Sequence, residues 1–439
     1  MNFKNKNFLA LLVNVIISAF SVVIMSLLFR SFTKSDAGTW FFFLSIQALV
    51  EGVRTGFLNT ATIKFYAGAK KERADAVLGS VWLIAILITF VVALLSWLLL
   101  VFTPLINNYQ ILIVGKWLGI TFISSLPFTV PMWILMAEEN YTKLLWLRLV
   151  NNLSMLLIIL FLIYQNKMTL NNMFILNIAT NILTGILCMF FKSFHLNTII
   201  KSTKKTLLEL VNFGKYTVST NTSVLFFRIS TTFVITFFLG PTALAVYNLP
   251  SRLMTIIEIP LGSSLGTGMS SMATALNKND ENQFVYIFKK YTGLLTFAII
   301  PIVLVVIIFA DLAVLIIGGD KYMGSEAANI LRIMIFFSLL FPIDRFNGVA
   351  LDMLHLPRIN FQKVLLMLGV HVTGIFLGVL LFNTLYGIAF FGPLTIISGV
   401  LYGYYELKKR IDYSIKEILS IGWHESKALV YKFYAQLKS

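Results

Sequence analysis

Seven ionisable side chains stand where the surrounding sequence reads as the interior of a membrane. Arg228 lies in LFFRISTTF, Leu225 to Phe233. Arg252 follows in the next apolar run, and Glu51 with Arg54 sits in VEGVRTG near the start of the chain. Glu258 and the adjacent Asp344 and Arg345 complete the set. An arginine at bilayer depth costs about 3 kcal/mol or more, so it marks a functional site by default. Its planar fork of donors suits a multiply charged anion. Helical offsets from Arg228 place Thr217, Asn221, Thr231 and Thr232 on the same side. Such a polar stripe must face water or protein, because lipid would leave it unsatisfied. A milder stripe of Asn14, Ser18, Ser21 and Met25 runs along the first apolar segment.

Pairing is the competing use of these charges. Glu51 and Arg54 are three residues apart on one helical face, which favours a local ion pair. Glu258 is the corresponding partner for Arg252. Asp344 and Arg345 are adjacent and diverge by about 100°, so they cannot simply satisfy each other. Arg228 has no acidic residue one turn away. The carboxylates have a second chemistry, the uptake and release of H+ or Na+ during a transport cycle. Arg54, Arg228 and Arg252, with Asn14, Asn221, Thr231 and Thr232, are thus the candidate substrate contacts. Glu51, Glu258, Asp344 and Arg345 are candidates for ion coupling or salt bridges. Lys116 and Arg332 stand near the external interface, where a long side chain can snorkel.

The rest of the chemistry-bearing residues argue against catalysis. The four histidines, His195, His355, His371 and His424, have no metal-ligand spacing, and no cofactor or metal motif is found. GSSLGTG, Gly262 to Gly268, lacks the GK[ST] ending of a phosphate loop, and its glycines fit close helix packing.

The elements that must position these residues are membrane helices. The 439-residue chain is 58% hydrophobic and only 12% charged, against about 25% charged in soluble domains. With mean hydropathy of +0.85, it reads as a polytopic membrane protein. A net charge of +16 would suggest nucleic acid in a soluble protein; here it fits cytoplasmic loops and anionic headgroups. A single cysteine, Cys188, rules out an intrachain disulfide. The basic, apolar N-terminus continues to Phe29 without a small-x-small cleavage site and reads as a retained first helix.

Apolar windows predict twelve spanning helices, among them 144–164, 214–238, 243–275 and 327–354. With the N-terminus in the cytoplasm, one side receives nearly all loop lysines and arginines, Arg358 and Lys363 included. The other receives only Arg30, Lys34, Lys167 and Lys321. That asymmetry places both termini in the cytoplasm. The chain therefore divides into a six-helix bundle over 1–191, an amphipathic linker over 192–213, a second six-helix bundle over 214–406 and a basic amphipathic tail over 407–439. Linker and tail are expected to lie on the membrane surface. Sliding the second half by 207 residues sets Asn221 on Asn14 and Glu258 on Glu51. The implied repeat is parallel, about an axis along the membrane normal.

The order of features now resembles a known family. The short loop SFTKSDAGTWFFFLSI, the pattern GDKYMGSEAANILRIM (Gly319 to Met334), and Leu351 to Arg358 leading into the eleventh helix carry the likeness. Together they resemble the polysaccharide flippases, Wzx-like O-antigen or capsule transporters of the multidrug/oligosaccharidyl-lipid/polysaccharide exporter superfamily. The resemblance implies an all-α integral membrane protein with two pseudo-symmetric six-helix bundles around a central cavity. It implies a polyprenyl-pyrophosphate-linked oligosaccharide as cargo, moved across a bacterial cytoplasmic membrane. It also implies membrane lipids, a glycan polymerase and glycosyltransferases as partners, and no nucleic acid. A cation-coupled multidrug antiporter shares the architecture, but should have an acidic cavity. A membrane glycan polymerase should carry a large external loop, and the longest here spans only Asp311 to Glu326.

Overall fold

The computed structural model describes residues 20–191 and 193–438, without the side chains of 103–106, 216–224, 429–430 and 432–438. Asn14 lies outside the described residues, as does the side chain of Asn221. Among the described residues every regular element is a helix, and ten are long and apolar enough to cross a membrane. The protein is a multi-pass membrane protein.

Polar residues start the helices. The Thr33 hydroxyl caps α2 (Lys34–Tyr66). Asn108 caps α4 (Tyr109–Ala137), Asn140 caps α5 (Tyr141–Tyr164) and Thr169 caps α6 (Leu170–Phe190). Each accepts a hydrogen bond from a backbone N–H that the first turn would otherwise leave without a partner. Before these come α1, described over Phe20–Ser31, and α3 (Lys71–Ile106).

Atomic contacts divide the chain into two compact units, Met1–Phe233 and Val234–Ser439. The sequence placed the division at the 192–213 linker. In the structure that segment belongs to the first unit. Leu196–Lys201 forms a 3-10 turn, and α7 then runs unbroken from Lys204 to Val234. Leu210 of α7 enters a core made by Leu58 of α2, Val77 and Trp82 of α3, and Trp133 of α4. Arg73 pairs with Glu209 and donates to the Thr206 hydroxyl at 2.8 Å, and Lys201 pairs with Asp75 at 2.7 Å. Apolar burial and opposite charge thus hold the stretch against helices rather than leaving it as a separate surface helix.

In the second unit the expected helix 243–275 is two helices. A π-helical turn, Ile235–Leu239, ends at Gly240, whose φ of +85° is open to glycine and strained for other residues. Then come α8 (Gly240–Leu253) and α9 (Thr255–Asn277), separated by Met254 four residues after Pro250. Next are α10 (Glu281–Ile308) and the short α11 (Ala310–Gly318). The expected helix 327–354 is likewise broken, into α12 (Ala327–Phe337) and α13 (Phe341–Met353), with a 3-10 turn just before Pro342. α14 (Pro357–Phe382) and α15 (Leu385–Lys408) pack along each other.

The tail forms α16 (Ile415–Lys438), which packs against α10 rather than standing alone as an interfacial helix. The crossing is at Gly293 and Gly422. A Cβ on Gly293 would lie 2.6 Å from the Gly422 Cα and 2.3 Å from the Ile418 carbonyl oxygen. Lys289 pairs with Glu417 at 2.8 Å, Lys290 with Glu425 at 2.6 Å, and Trp423 packs on Phe297 with ring centroids 5.5 Å apart.

Candidate functional site

Three side chains of the first unit decide what its charges do. Arg54 on α2 is fully buried. Its Nη2 donates to Glu51 Oε2 at 2.5 Å and to Ser125 Oγ at 2.8 Å, while Nη1 donates to Thr89 Oγ1 at 3.1 Å. The guanidinium lies 3.9 Å from the centre of the Phe122 ring. Arg54 therefore ties α2 to α3 and α4. The expectation of Arg54 as an open substrate contact is corrected, because its charge is answered inside the unit and no part of it reaches solvent. The carboxylate that answers it, Glu51, keeps 30% of its side-chain surface exposed and also accepts from Thr55 at 3.1 Å.

On α7, Arg228 is exposed. It forms no ion pair with any described residue. Its neighbours fix its position against α2. Leu225 packs over Gly52, leaving no room for a Cβ there, and Phe233 packs on Phe42 with ring centroids 5.4 Å apart. Thr232 Oγ1 lies 3.2 Å from Ser45 Oγ and 3.0 Å from the Arg228 carbonyl oxygen, and Thr231 donates to the Phe227 carbonyl at 3.0 Å. Thr231 and Thr232 are buried. Their hydroxyls serve the helix and its contact with α2, so Arg228 is the exposed member of the described part of the stripe.

In the second unit, Arg252 is half-buried in the last turn of α8. Glu258 lies beyond the break at Met254, in the first turn of α9, exposed and paired with no described residue. No ion pair joins Glu258 to Arg252; six residues apart, with the Met254 turn between them, they do not share a helical face. Asp344 of α13 is buried and paired with Lys363 of α14. Lys363 Nζ donates to Asp344 Oδ1 at 2.8 Å and to the Asp344 carbonyl at 2.9 Å. Arg345, one residue on, points elsewhere and is exposed.

Two further cations stand out in the structure. Lys363, grouped by sequence with the cytoplasmic loop charges, is only 3% exposed. Arg148, in the second turn of α5, is half-buried, and its Nε, like that of Arg54, is enclosed without a hydrogen-bond partner. The available signal was an arginine four residues inside the expected span 144–164.

The architecture has known relatives. The chain is similar to a multidrug-resistance MATE-family transporter of the MOP superfamily in an inward-facing conformation (TM-score 0.71, 13% identity, covering 89% of this chain and 96% of that one). It is similar to the lipid II flippase MurJ in an inward closed conformation (TM-score 0.72, 17% identity, 97% and 92% covered). A MOP-superfamily transporter from Pyrococcus furiosus, described as having a binding pocket of reverse polarity, gives a TM-score of 0.58 at 13% identity, with 91% and 93% covered. At these identities the likeness is one of fold. No curated protein matches the chain significantly in sequence. A family model described as polysaccharide biosynthesis protein matches residues 27–327, more than half of the chain. With the fold of the MOP-superfamily transporters and that match, the chain belongs to the polysaccharide biosynthesis protein family.

Proposed function

We propose that this protein is a flippase. It carries polyprenyl-pyrophosphate-linked oligosaccharide units from the cytoplasmic to the outer leaflet of a bacterial cytoplasmic membrane, by alternating access. It is a transporter rather than an enzyme, with both termini in the cytoplasm as the loop charges require. Glycosyltransferases would supply its cargo and a polymerase would consume it.

The exposure of Arg228 on α7, with no carboxylate paired to it among the described residues, carries the reading. From the expected cytoplasmic start of the span at 214, Arg228 is about 21 Å along the helix. A guanidinium held there without a counter-ion is suited to an anion that arrives and leaves, and a pyrophosphate offers oxygens for both arms of its fork. The multidrug alternative shares the fold of the MATE neighbour but wants open carboxylates. Glu51 and Asp344 are engaged by Arg54 and Lys363. Glu258 is the exposed carboxylate among the candidates, and it takes the role of an H+ or Na+ coupling site.

Arg228→Ala should abolish surface glycan in cells that depend on this transporter, with the variant still present and folded in the membrane. Lipid-linked repeat units should then accumulate facing the cytoplasm. Normal surface glycan in those cells would overturn the assignment.

A further inference from the structure

The tail helix of the second unit meets α10 where that helix enters the membrane. Lys289 and Lys290 of α10 are followed by an uncharged run, Tyr291 to Ile308. The spanning helix α15 ends at Lys408, with Lys409 and Arg410 next. In the orientation given by the loop charges, both basic groups mark the headgroup layer of the cytoplasmic leaflet. The connection to α16 is pinned at the same level. Tyr413 is buried edge-on against Phe288 and Tyr404, with ring centroids 5.1 and 5.3 Å away.

The faces of α16 differ in chemistry. Ile418 and Gly422 form the side seated on α10. On one flank Glu425 reaches back to Lys290 and Tyr286, towards the cytoplasmic start of α10. The opposite flank, about 60° to 100° round from Gly422, carries Leu419 and Trp423, both exposed. Trp423 packs on Phe297, seven residues or about 10 Å deeper than Lys290. Lys416 and Lys427 come next round the helix, and Lys427 Nζ lies 4.8 Å from the centre of the Trp423 ring. Ser420 and His424 follow, exposed and polar. From the protein contact outward the order is apolar, basic, polar, which suits a helix lying in a membrane interface.

The side of α10 that carries the tail says what covers the apolar flank. Gly293 and Phe297 share a helical face with Pro301, Leu304 and Ile308, which are all exposed. α16 thus sits at the foot of an exposed apolar face on a spanning helix, and Leu419 and Trp423 continue that face sideways. An exposed apolar surface of this kind, below a row of lysines, matches acyl chains under anionic headgroups.

We propose that α16 is a lipid-binding helix of the cytoplasmic leaflet, with Leu419 and Trp423 among acyl chains and Lys416 and Lys427 at anionic phospholipid headgroups. Its docking on α10 and its seat in lipid use different faces of one helix. The assignment is independent of what the protein carries.

The test uses the full chain with Cys188→Ala, in nanodiscs of phosphatidylcholine and phosphatidylglycerol. A nitroxide is placed in turn at Leu419→Cys, Ser420→Cys and His424→Cys. Collision with oxygen, which concentrates among acyl chains, is compared with collision with a water-soluble nickel chelate. The oxygen-to-nickel ratio should be several-fold higher at position 419 than at 420 or 424. Equal ratios at the three positions overturn the proposal, as does a label at 419 shielded from both reagents, which would mean that protein covers the flank. If Leu419→Cys does not fold, Ile415→Cys, one turn earlier on the same flank, is read in the same way. In mild detergent, native mass spectrometry should show phosphatidylglycerol retained over phosphatidylcholine, and Lys416→Gln or Lys427→Gln should each lower that preference about five-fold. An unchanged preference in the double variant overturns the headgroup assignment.

Discussion

Among the described residues, each unit has one ion pair built on a buried cation, and the two are built differently. In the first, Glu51 and Arg54 lie on the same helix, three residues apart, and the arginine reaches out to hydroxyls on α3 and α4. In the second, Asp344 and Lys363 come from consecutive helices, and the lysine closes on both the carboxylate and the backbone of α13. The first pair is a cation that organises three helices, with its carboxylate still partly in solvent. The second is a sealed clasp between two helices, with the side chains of Lys363 and Asp344 only 4% and 9% exposed. Both remove charges from the pool available to a substrate; among the candidate site residues, Arg228 and Arg345 have no described acidic partner. Burying charge as a pair and leaving charge unpaired are thus separate uses of the same residue types within one chain.

The largest test of that contrast is Glu51→Gln. Arginine cannot shed its proton in a protein, so the change leaves a full charge inside the first unit. Breaking a buried pair from one side costs about 3–5 kcal/mol; the partial exposure of Glu51 puts the expected loss near the lower end, about 3 kcal/mol. The measurement is the thermal midpoint of the purified protein in detergent, with the wild type alongside. A midpoint equal to that of the wild type would show that Thr89, Ser125 and Thr129 alone accommodate Arg54.

Asp344→Asn should cost less, about 2 kcal/mol, because a lysine deprived of its partner can lose its proton and still use the Asp344 backbone carbonyl. Replacing both members, Asp344→Leu with Lys363→Met, should return stability to within about 1 kcal/mol of the wild type. The double-mutant cycle would then show a strong coupling between the two sites. Additive losses in the cycle would mean that the 2.8 Å contact contributes little and that packing against Gly399, close to the Asp344 carboxylate, dominates.

How much of this could be read in advance follows from distance along the chain. The helical spans were legible because an apolar window long enough to cross a bilayer leaves few alternatives. The breaks at Gly240 and Met254 and before Pro342 were not, since a window average does not register one residue of unusual backbone. The Glu51–Arg54 pair was legible as three-residue spacing on a helix. Lys363 was not, because its partner stands nineteen residues away across a turn and the lysine's position resembled a loop charge. Arg228 was found from sequence, but the burial of Thr231 and Thr232 depends on where α2 packs, which helical periodicity does not encode. The tail shows the same limit. The apolar face carrying Ile418 was visible, yet a lipid surface and the face of another helix ask for the same pattern. Only the fit of Gly422 onto Gly293 separates them.

That docking gives the smallest effect, and it contrasts with the sealed Asp344–Lys363 clasp because its carboxylates, Glu417 and Glu425, reach solvent. The Glu417 carboxyl is held below the usual value, first by the hydrogen bond from Lys289 and then by the Ser414 backbone N–H. Glu425 is held down by Lys290 and then by the Tyr286 hydroxyl. A carboxylate depressed in the folded state contributes fully above its unfolded value, near pH 4.5, and loses that contribution as the pH falls through the lower folded value. The tail should therefore loosen as the pH falls below about 4.5. Exposed pairs of this kind are screened by solvent, so cleavage within α16 by an acid-active protease should quicken only about two- to three-fold between pH 5.5 and pH 3.5, after correction for the protease's own pH profile. Replacing Lys289 and Lys290 with glutamine should flatten that response while the Gly293–Gly422 crossing keeps the helix in place. An undiminished response in the double variant would show that protonation acts on some other group, and that the crossing of α10 and α16 is held by packing alone.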